Sequence, residues 1–262
     1  MNGSSTSSSW LIEALHITKE FASVVALDDV TFRAAPASVV ALLGDNGSGK
    51  STLIKILSGV TSPDSGSILW RGSPVRLRSA RDGIALGISV VHQDLSLIDH
   101  MSVWRNIFLG REEEITRKVG PLQVIDARKA RALARAAVCD IGIELSSMEQ
   151  SILTLSGGER QAISIARAVH FESKVLILDE PTAALSLQKT EKVLNCIVRA
   201  RAQGLAVIFI THDVNHVYPI ADRFIVLAHG RCIADIDRGE ADIETIRALI
   251  TGGRQGSGDR RD

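Results

Sequence analysis

The feature that most constrains this fold is a glycine-rich segment that follows a short apolar run. The run, Val39–Leu43, has the composition of a buried strand. The residues that follow it contain the pattern GxxxxGK[ST] and are Gly44, Asp45, Asn46, Gly47, Ser48, Gly49, Lys50, Ser51 and Thr52. Because a strand pattern precedes this segment and a helical pattern follows it, we interpret it as a P-loop rather than a chance glycine-rich turn.

Each residue type in this loop suits the binding of nucleotide phosphates. Glycines let the backbone curl so that successive N–H groups point at phosphate oxygens. The helix that begins near Gly49 directs the positive end of its dipole at the same anion. Lys50 adds a mobile cation for the terminal phosphates, and Ser51 offers a hydroxyl to Mg²⁺. The loop therefore predicts a nucleotide site with Mg²⁺.

Short apolar runs alternate with amphipathic stretches, which predicts an α/β fold. Besides Val39–Leu43, the runs Ile88–Val91, Val175–Leu178 and Leu205–Ile210 have the length and composition of strands covered on both faces. Between the last two lies a helical stretch, Ser186–Gln203. A strand, helix and strand in this order indicate a mostly parallel core sheet.

Two kinds of segment add to this parallel core. Residues 11–36 and 223–236 contain short alternating patterns, and we expect them to add antiparallel strands at the edge of the sheet. Residues 94–171 carry helical patterns, including Ala127–Ala137 and Glu159–His170. We therefore predict a P-loop α/β fold with an antiparallel β edge subdomain and an inserted α-helical subdomain.

A strand that ends in two carboxylates provides the second candidate group. The apolar run at 174–178 leads directly into Asp179 and Glu180, which is a Walker B pattern. Asp179 is expected to orient Mg²⁺ through water, and Glu180 to take a proton from, or polarise, the water that attacks the γ-phosphate. A solvated acidic strand end is the alternative, and the neighbouring P-loop favours the catalytic interpretation.

Two polar residues follow other predicted strands. His212 comes soon after Leu205–Ile210, and Gln93 follows the strand that starts at Ile88. Parallel strands with right-handed crossovers end at one edge of the sheet. We therefore expect His212 to hydrogen-bond the γ-phosphate and Gln93 to contact Mg²⁺ and the attacking water. We interpret four other histidines as structural, namely His92, His100, His216 and His229.

A second glycine-rich segment, LSGGERQ at 155–161, opens a helix. Ser156 suits an N-cap, and Glu159 three residues later completes a capping box. Gly157 and Gly158 expose backbone N–H groups, which predicts a second anion site. A capped helix with a purely structural role is the alternative, but it needs neither glycine.

The GDNGSGKST loop and the LSGGE segment together closely resemble the ABC-type ATPases, over about residues 11–250. In that family, ATP with Mg²⁺ lies between the P-loop of one subunit and the signature segment of the other. The resemblance therefore implies a dimer of ATPase subunits. It also implies that Ser156, Gly157 and Gly158 contact the γ-phosphate of an ATP bound at Lys50 of the opposite subunit.

Further residues take their expected roles from the same resemblance. Phe21, in KEFASVVAL, matches the aromatic residue that stacks on adenine, with a plain core residue as the alternative. Glu159 and Gln161 join the nucleotide site as part of the signature segment. The chain departs from the family after EPTAAL, where Ser186 replaces an acidic residue that many members have. We therefore expect hydrolysis and leave its timing open.

Three segments resemble the ATPases of bacterial monosaccharide importers of the ribose, xylose and fructose type. They are NIFLGRE at 106–112, GISVVHQDLSLIDHMSV before it, and EPTAAL. Many such ATPases carry two halves, and this chain is similar to the short members with one. The resemblance implies a separate transmembrane permease, indirectly a solute-binding protein, and a peripheral position on the cytoplasmic face of the cell membrane. The sugar itself rests on analogy.

Composition argues against several classes of protein. Lys plus Arg and Asp plus Glu each number 30, so the formal net charge is zero, which disfavours nucleic acid as a partner. Aromatic residues make up only 4%, too few for many base-stacking contacts. The three cysteines, Cys139, Cys196 and Cys232, lie far apart and predict reduced thiols.

We expect one ATPase domain at 11–250, a flexible leader at 1–10 and a flexible tail at 251–262. The Ser-rich leader lacks the pattern of a signal peptide. No apolar run approaches the roughly 20 residues that span a bilayer. We therefore expect a partner to supply any membrane span.

Two alternative functions stay open on the sequence. A soluble ABC ATPase acting on nucleic acid or ribosomes is disfavoured by zero net charge and by the spacing of Lys50 and Ser156, which is too short for a long coiled coil. A regulator that binds ATP without turnover is opposed by Glu180 and His212 and kept open by Ser186.

Overall fold

The structure is a computed structural model that describes residues 9–93 and 95–252. The strands are, in chain order, β1 (Ile12–Phe21), β2 (Val24–Ala34), β3 (Val39–Leu43), β4 (Ser65–Trp70), β5 (Ser73–Val75), β6 (Ile88–Val91), β7 (Thr116–Val119), β8 (Leu122–Ile125), β9 (Val175–Asp179), β10 (Ala206–Thr211), β11 (Arg223–Ala228) and β12 (Arg231–Asp237). The helices are α1 (Lys50–Leu57), α2 (Ala80–Leu86), α3 (Val103–Phe108), α4 (Ala127–Asp140), α5 (Gly157–His170), α6 (Leu187–Ala202), α7 (Val214–Val217) and α8 (Ile243–Gly252). Short 3₁₀ turns lie at Glu112–Ile115 and Ile152–Thr154.

Parts of the predicted leader and tail, residues 1–8 and 253–262, lie outside the described residues. Within the described ranges, none of the helices combines the length and the apolar character that crossing a bilayer requires.

A six-stranded sheet in the order β12-β11-β3-β10-β9-β6 forms the centre of the fold. Neighbouring strands from β11 to β6 pair in parallel, whereas β12 pairs antiparallel with β11 across a turn at His229 and Gly230. The predicted parallel strands, and the helix α6 between β9 and β10, are confirmed. The expectation that residues 223–236 add antiparallel edge strands holds for β12 and is wrong for β11, which pairs in parallel with β3.

The core sheet is buried on both faces, which is why its strands read as unbroken apolar runs. Val39, Ala41 and Leu43 of β3 face a core that includes residues of α5 and α6. Val40 and Leu42 face the opposite core, which includes residues of α1, β1 and β2.

Residues 11–36 differ from the sequence expectation in one respect. β1 and β2 are antiparallel as predicted, but they form a separate four-stranded sheet with β4 and β5, in the order β2-β1-β4-β5. This sheet packs against the core sheet, with Ile17 and Phe32 in the same apolar cluster as Val40 and Leu42. An alternating pattern identifies a half-buried strand but does not reveal its pairing partner.

The chain between β6 and β9 contains the two predicted helices, which correspond to α4 and α5, together with α3. It also contains a two-stranded antiparallel sheet, β7 and β8, that the sequence interpretation missed. Both strands are 4 residues long and mostly exposed, so they lack the apolar pattern of a buried strand. The carboxylate of Asp126 caps α4 by accepting hydrogen bonds from the N–H groups of Arg128 and Lys129.

Candidate functional site

The register of the core sheet brings the predicted site residues to one edge. Leu43 of β3 pairs with Thr211 of β10, and Asp179 of β9 pairs with Ile210. The segments that follow β3, β9 and β10 therefore leave the sheet side by side. These segments carry the glycine-rich loop, Glu180 and His212, at the sheet edge where parallel α/β folds bind ligands.

Two glycines of the loop occupy positions that a side chain cannot. Gly44 has φ of 144°, and a Cβ there would lie 2.3 Å from the carbonyl oxygen of Leu227. Gly49 has φ of 106°, and its Cβ would lie 2.7 Å from the carbonyl oxygen of Ala26. The loop is therefore wedged between β11 and β2, which only glycine permits.

Lys50 lies at the centre of the loop with only 8% of its surface exposed. Its Nζ donates to the carbonyl oxygens of Gly44 at 2.7 Å and Asp45 at 2.8 Å. Burial lowers the pKa of the Lys50 ammonium, and the negative charges of Glu180 and Asp179 act in the opposite direction. A desolvated cation within a glycine-rich loop is suited to bind a polyphosphate.

The other loop residues divide between buried and exposed positions. Ser48 is buried, and its N–H donates to the carbonyl oxygen of Asp45 over 3.2 Å. The exposed members of the loop are Asn46, Gly47 and Ser51, whereas Thr52 is partly buried in the first turn of α1. The hydroxyl of Ser51 is accordingly on an accessible part of the loop.

Asp179 and its neighbours fit the expected Mg²⁺ ion by their chemistry. Burial, and next the negative charge of Glu180, raise the pKa of Asp179, whereas His92 and Lys50 favour its charged form. An added cation stabilises a crowded carboxylate pair of this kind. The oxygens of Asp179 and Ser51 are ligands that Mg²⁺ prefers. Gln93 is exposed just after β6, on the neighbouring strand of the sheet.

Glu180 and His212 are in direct contact, as their places at adjacent strand ends allow. Nδ1 of His212 lies 2.7 Å from Oε1 of Glu180, and the backbone N–H of His212 donates to the same oxygen at 3.2 Å. The hydroxyl of Thr211 donates to Oε2 at 3.2 Å. The sequence analysis did not identify Thr211 as a site residue. It could have been recognised as a hydroxyl residue at the last position of a strand that neighbours the acidic pair.

The signature segment forms the predicted capping box at the start of α5. Oγ of Ser156 accepts from the N–H of Glu159 at 3.4 Å, and the Ser156 N–H donates to Oε2 of Glu159 at 2.8 Å. A Cβ on Gly158 would lie 3.3 Å from Cβ of Lys189. Close packing of α5 on α6 therefore also favours glycine at this position. Gln161 is buried, with Nε2 lacking a hydrogen-bond partner.

The signature segment shares a cavity with Glu180 but not with the glycine-rich loop of the same chain. The cavity, of about 360 Å³, is lined by Gln93, Gly157, Arg160, Gln161 and Glu180 among others. All residues at 44–52 are described, and none of them lines it.

Phe21 is 47% exposed and therefore is not a core residue. It ends β1 and pairs with Val24 across the β1–β2 hairpin. Nζ of Lys19 lies 5.3 Å from the centroid of its ring. Ala26, two residues after Val24, approaches Gly49. The ring consequently belongs to a hairpin that contacts the glycine-rich loop.

The fold and the site together define the class of protein to which this chain belongs. A P-loop on a parallel sheet, with an acidic pair and a histidine at the adjacent strand ends, is the arrangement of a P-loop ATPase. The sequence profile of the ABC transporter family matches residues 27–183, and this chain belongs to that family.

Relatives of similar length and longer relatives both match the chain. It is 39% identical over 92% of its length, and 94% of the relative, to a xylose/arabinose import ATP-binding protein of Sulfolobus acidocaldarius. It is 36% identical over 94% of its length, and 95% of the relative, to a fructose import ATP-binding protein of Rhizobium meliloti. The chain spans about half of longer relatives, such as 45% of a putative ribose/galactose/methyl galactoside import ATP-binding protein of Pseudomonas syringae pv. tomato.

Solved structures support the fold. The ADP conformation of MJ1267, an ATP-binding cassette of an ABC transporter, matches with a TM-score of 0.78 over 92% of this chain and 95% of that one. The sequence identity is 22%, so the likeness concerns the fold.

Proposed function

We propose that this chain hydrolyses ATP and that hydrolysis energises the import of a monosaccharide through a separate membrane permease. The observation that carries the hydrolysis is the Glu180 carboxylate, which Thr211 and His212 hold beside Lys50. The sugar rests on the names of relatives matched over 92% and 94% of this chain.

Different parts of the glycine-rich loop contact different parts of ATP. The Lys50 ammonium exchanges the carbonyl oxygens of Gly44 and Asp45 for oxygens of the terminal phosphates, and the loop N–H groups receive the remaining charge. Phe21 stacks on adenine. Mg²⁺, when bound, neutralises and orients the β- and γ-phosphates, with Ser51, Asp179 and Gln93 as the residues that hold it.

Hydrolysis needs a base that is held in place. Glu180 takes a proton from water as the water oxygen bonds to the γ-phosphorus. The bond from that phosphorus to the β–γ bridging oxygen then breaks, giving ADP and phosphate. General-base assistance of this kind contributes about 10²–10⁴ in rate. Because Nδ1 of His212 is engaged by Glu180, Nε2 is the ring nitrogen that meets the γ-phosphate.

The complete site is proposed to form between two ATPase subunits, most simply two copies of this chain. Ser156, Gly157, Gly158, Glu159 and Gln161 of one subunit then face ATP held by the loop of the other. Support comes from the cavity that the signature segment lines, to which no residue at 44–52 of the same chain contributes.

The permease is proposed to dock in a groove of about 470 Å³ between the core sheet and the inserted helices. Val60 and Ile84 are exposed there, and Arg111 lies over the ring of Phe171. The described parts of the segment 93–110 include residues that line this groove and are proposed to transmit motion. The chain would thereby sit peripherally on the cytoplasmic face of the membrane, and the solute-binding protein would act through the permease.

Glu180→Gln tests the hydrolysis. It removes the base but keeps the shape, so we expect ATP turnover by the purified chain with Mg²⁺ to fall about 10²–10⁴-fold while ATP binding persists. Glu144→Gln, at an exposed position away from the site, is the matched control and should keep turnover. Normal phosphate release by Glu180→Gln would refute Glu180 as the base.

Uptake tests the import. Deleting the gene in its host should abolish uptake of labelled xylose, ribose or fructose, and restoring Glu180→Gln should not rescue it. Unchanged uptake of all three sugars would reject xylose, ribose and fructose as the imported sugars without affecting the ATPase result.

A further inference from the structure

A second contact joins the two loops that hold Glu180 and His212. Thr182, two residues after Glu180, is 1% exposed, and its Oγ1 lies 3.0 Å from Nδ1 of His216. His216 lies in α7, about one helical turn after His212. The loop after β9 and the loop after β10 are therefore linked twice, at Glu180–His212 and again at Thr182–His216.

Asp213 faces the other ring nitrogen of His216, with Oδ2 3.7 Å from Nε2. Burial raises the pKa of Asp213, but hydrogen bonds from Asn215 and the nearby imidazoles outweigh burial and keep this pKa below its usual value. A carboxylate on this side favours a hydrogen on Nε2 of His216. Nδ1 then accepts a hydrogen bond from the Thr182 hydroxyl.

The turn that carries Glu180 combines its own backbone hydrogen bonds, from the Ala183 N–H to the Glu180 carbonyl oxygen and from the Leu185 N–H to the Thr182 carbonyl oxygen, with side-chain contacts from neighbouring elements. Glu180 has φ of 50° and Ala184 has φ of 58°, in the left-handed region that residues other than glycine seldom adopt. Thr211 and His212 hold the turn at its first residue, and His216 holds it at its third. The contact at Thr182 therefore adds a second side-chain restraint on the turn, beyond the one at Glu180.

We infer that His216 is a positioning residue for hydrolysis, which holds Thr182 and thereby sets the geometry between Glu180 and His212. The inference rests on the proposed ATP hydrolysis and adds a residue that acts through Thr182 rather than on the nucleotide. His216 was interpreted as structural from the sequence. The structure distinguishes it from a packing histidine because both ring nitrogens face polar groups of the two catalytic loops.

Two substitutions at His216 separate positioning from packing. Asn presents a polar atom at the same distance from the backbone as Nδ1, whereas Leu presents methyl groups there. We expect His216→Leu to lower kcat about tenfold with KM for ATP nearly unchanged, since a misplaced group costs rate rather than substrate binding. His216→Asn should restore most of kcat. The inference would be overturned if both variants lost the same amount of kcat. It would also be overturned if the loss of kcat in each variant paralleled the fall in its thermal unfolding temperature.

Thr182 supplies the matched test from the other side of the contact. Thr182→Val keeps the shape and removes the hydroxyl, so it should lower kcat as His216→Leu does, and Thr182→Ser should not. The double variant Thr182→Val with His216→Leu should lose no more than either single variant, because both remove one interaction. Additive losses would contradict a shared role.

A measurement without turnover keeps this inference separable from the proposed function. The ring nitrogens of His212 report its contact with Glu180 in ¹⁵N NMR spectra of the chain without nucleotide. His216→Leu should shift them, and His216→Asn should shift them less. Unmoved His212 signals would reject the inference even if ATP is hydrolysed. Absence of hydrolysis by the unsubstituted chain would instead reject the proposed function, and the spectra would still decide the coupling.

Discussion

At the scale of the residue, the proposed phosphate site depends on the environment of the Lys50 ammonium. This ammonium is buried against the carbonyl oxygens of Gly44 and Asp45, and burial lowers its pKa although Glu180 and Asp179 counteract this. Desolvating a cation is costly, whereas two hydrogen bonds to backbone oxygens and the nearby carboxylates offset that cost. Because these effects oppose each other, we expect the net contribution of Lys50 to folding to be small, and we propose that its main contribution comes with the ligand.

Lys50→Met separates the contribution of Lys50 to folding from its contribution to ATP binding, because Met has a side chain of similar length without the charge. We expect the free energy of unfolding without ATP to change by less than about 1 kcal/mol, since the two effects offset each other. Stabilisation by ATP, about 2.7 kcal/mol at 100 times Kd for the unsubstituted chain, should be largely lost. Urea unfolding with and without ATP measures both. Lys118→Met, exposed in β7, is the control, and an equal ATP response in the two variants would refute the role of Lys50.

At the scale of elements, the start of α5 carries a capping box at the segment for which we propose an anion site. Burial raises the pKa of Glu159, but the hydrogen bonds from Ser156 outweigh burial and leave this pKa below its usual value. A carboxyl whose pKa is lower in the folded state stabilises the fold above its unfolded pKa, and this contribution disappears as the pH falls through its folded pKa. Part of the stability of α5 is therefore lost on acidification.

Ser156→Ala removes the side-chain half of this cap. We expect it to lower the free energy of unfolding by about 1 kcal/mol near pH 7 and by less once Glu159 is protonated, as urea unfolding at neutral and acidic pH would measure. Ser186 is the matched control, because it also precedes a helix but its side chain makes no capping hydrogen bond. Ser186→Ala should therefore cost less, and equal costs would contradict the capping argument.

The strands of the core could be predicted because burial on both faces requires continuous apolar runs, as in Val39–Leu43. β7 and β8 could not, since a short exposed hairpin needs no such run. In the site, the P-loop and Glu180 follow directly from local patterns. The contact between Thr182 and His216 joins residues 34 positions apart, and it depends on a turn geometry that no local pattern encodes.

At the scale of the whole molecule, the loop at 44–52 and the signature segment of one chain do not line the same cavity. The loop at 44–52 lies between β2 and β11, whereas Gly157 lines a cavity with Arg160 and Glu180. A P-loop without a facing anion site leaves the outer side of the γ-phosphate to water. We propose that two chains pair head to tail, so that each loop faces the signature segment of the other chain and ATP lies in the interface.

Gly157→Asp tests this arrangement, because it places a negative charge where the γ-phosphate of the opposite subunit would lie. In a chain that also carries Glu180→Gln, we expect ATP with Mg²⁺ to produce a dimer that light scattering detects, and Gly157→Asp to abolish it. ATP binding to the separate chain should persist, since the loop is unchanged.

The nearest neighbour of a Cβ at Gly157 is a methyl of Leu185 at 3.0 Å, which a small side-chain movement accommodates. Gly120→Asp adds the same charge at an open position and should keep the dimer. A dimer that survives Gly157→Asp would place the signature segment outside the interface and reject the composite site.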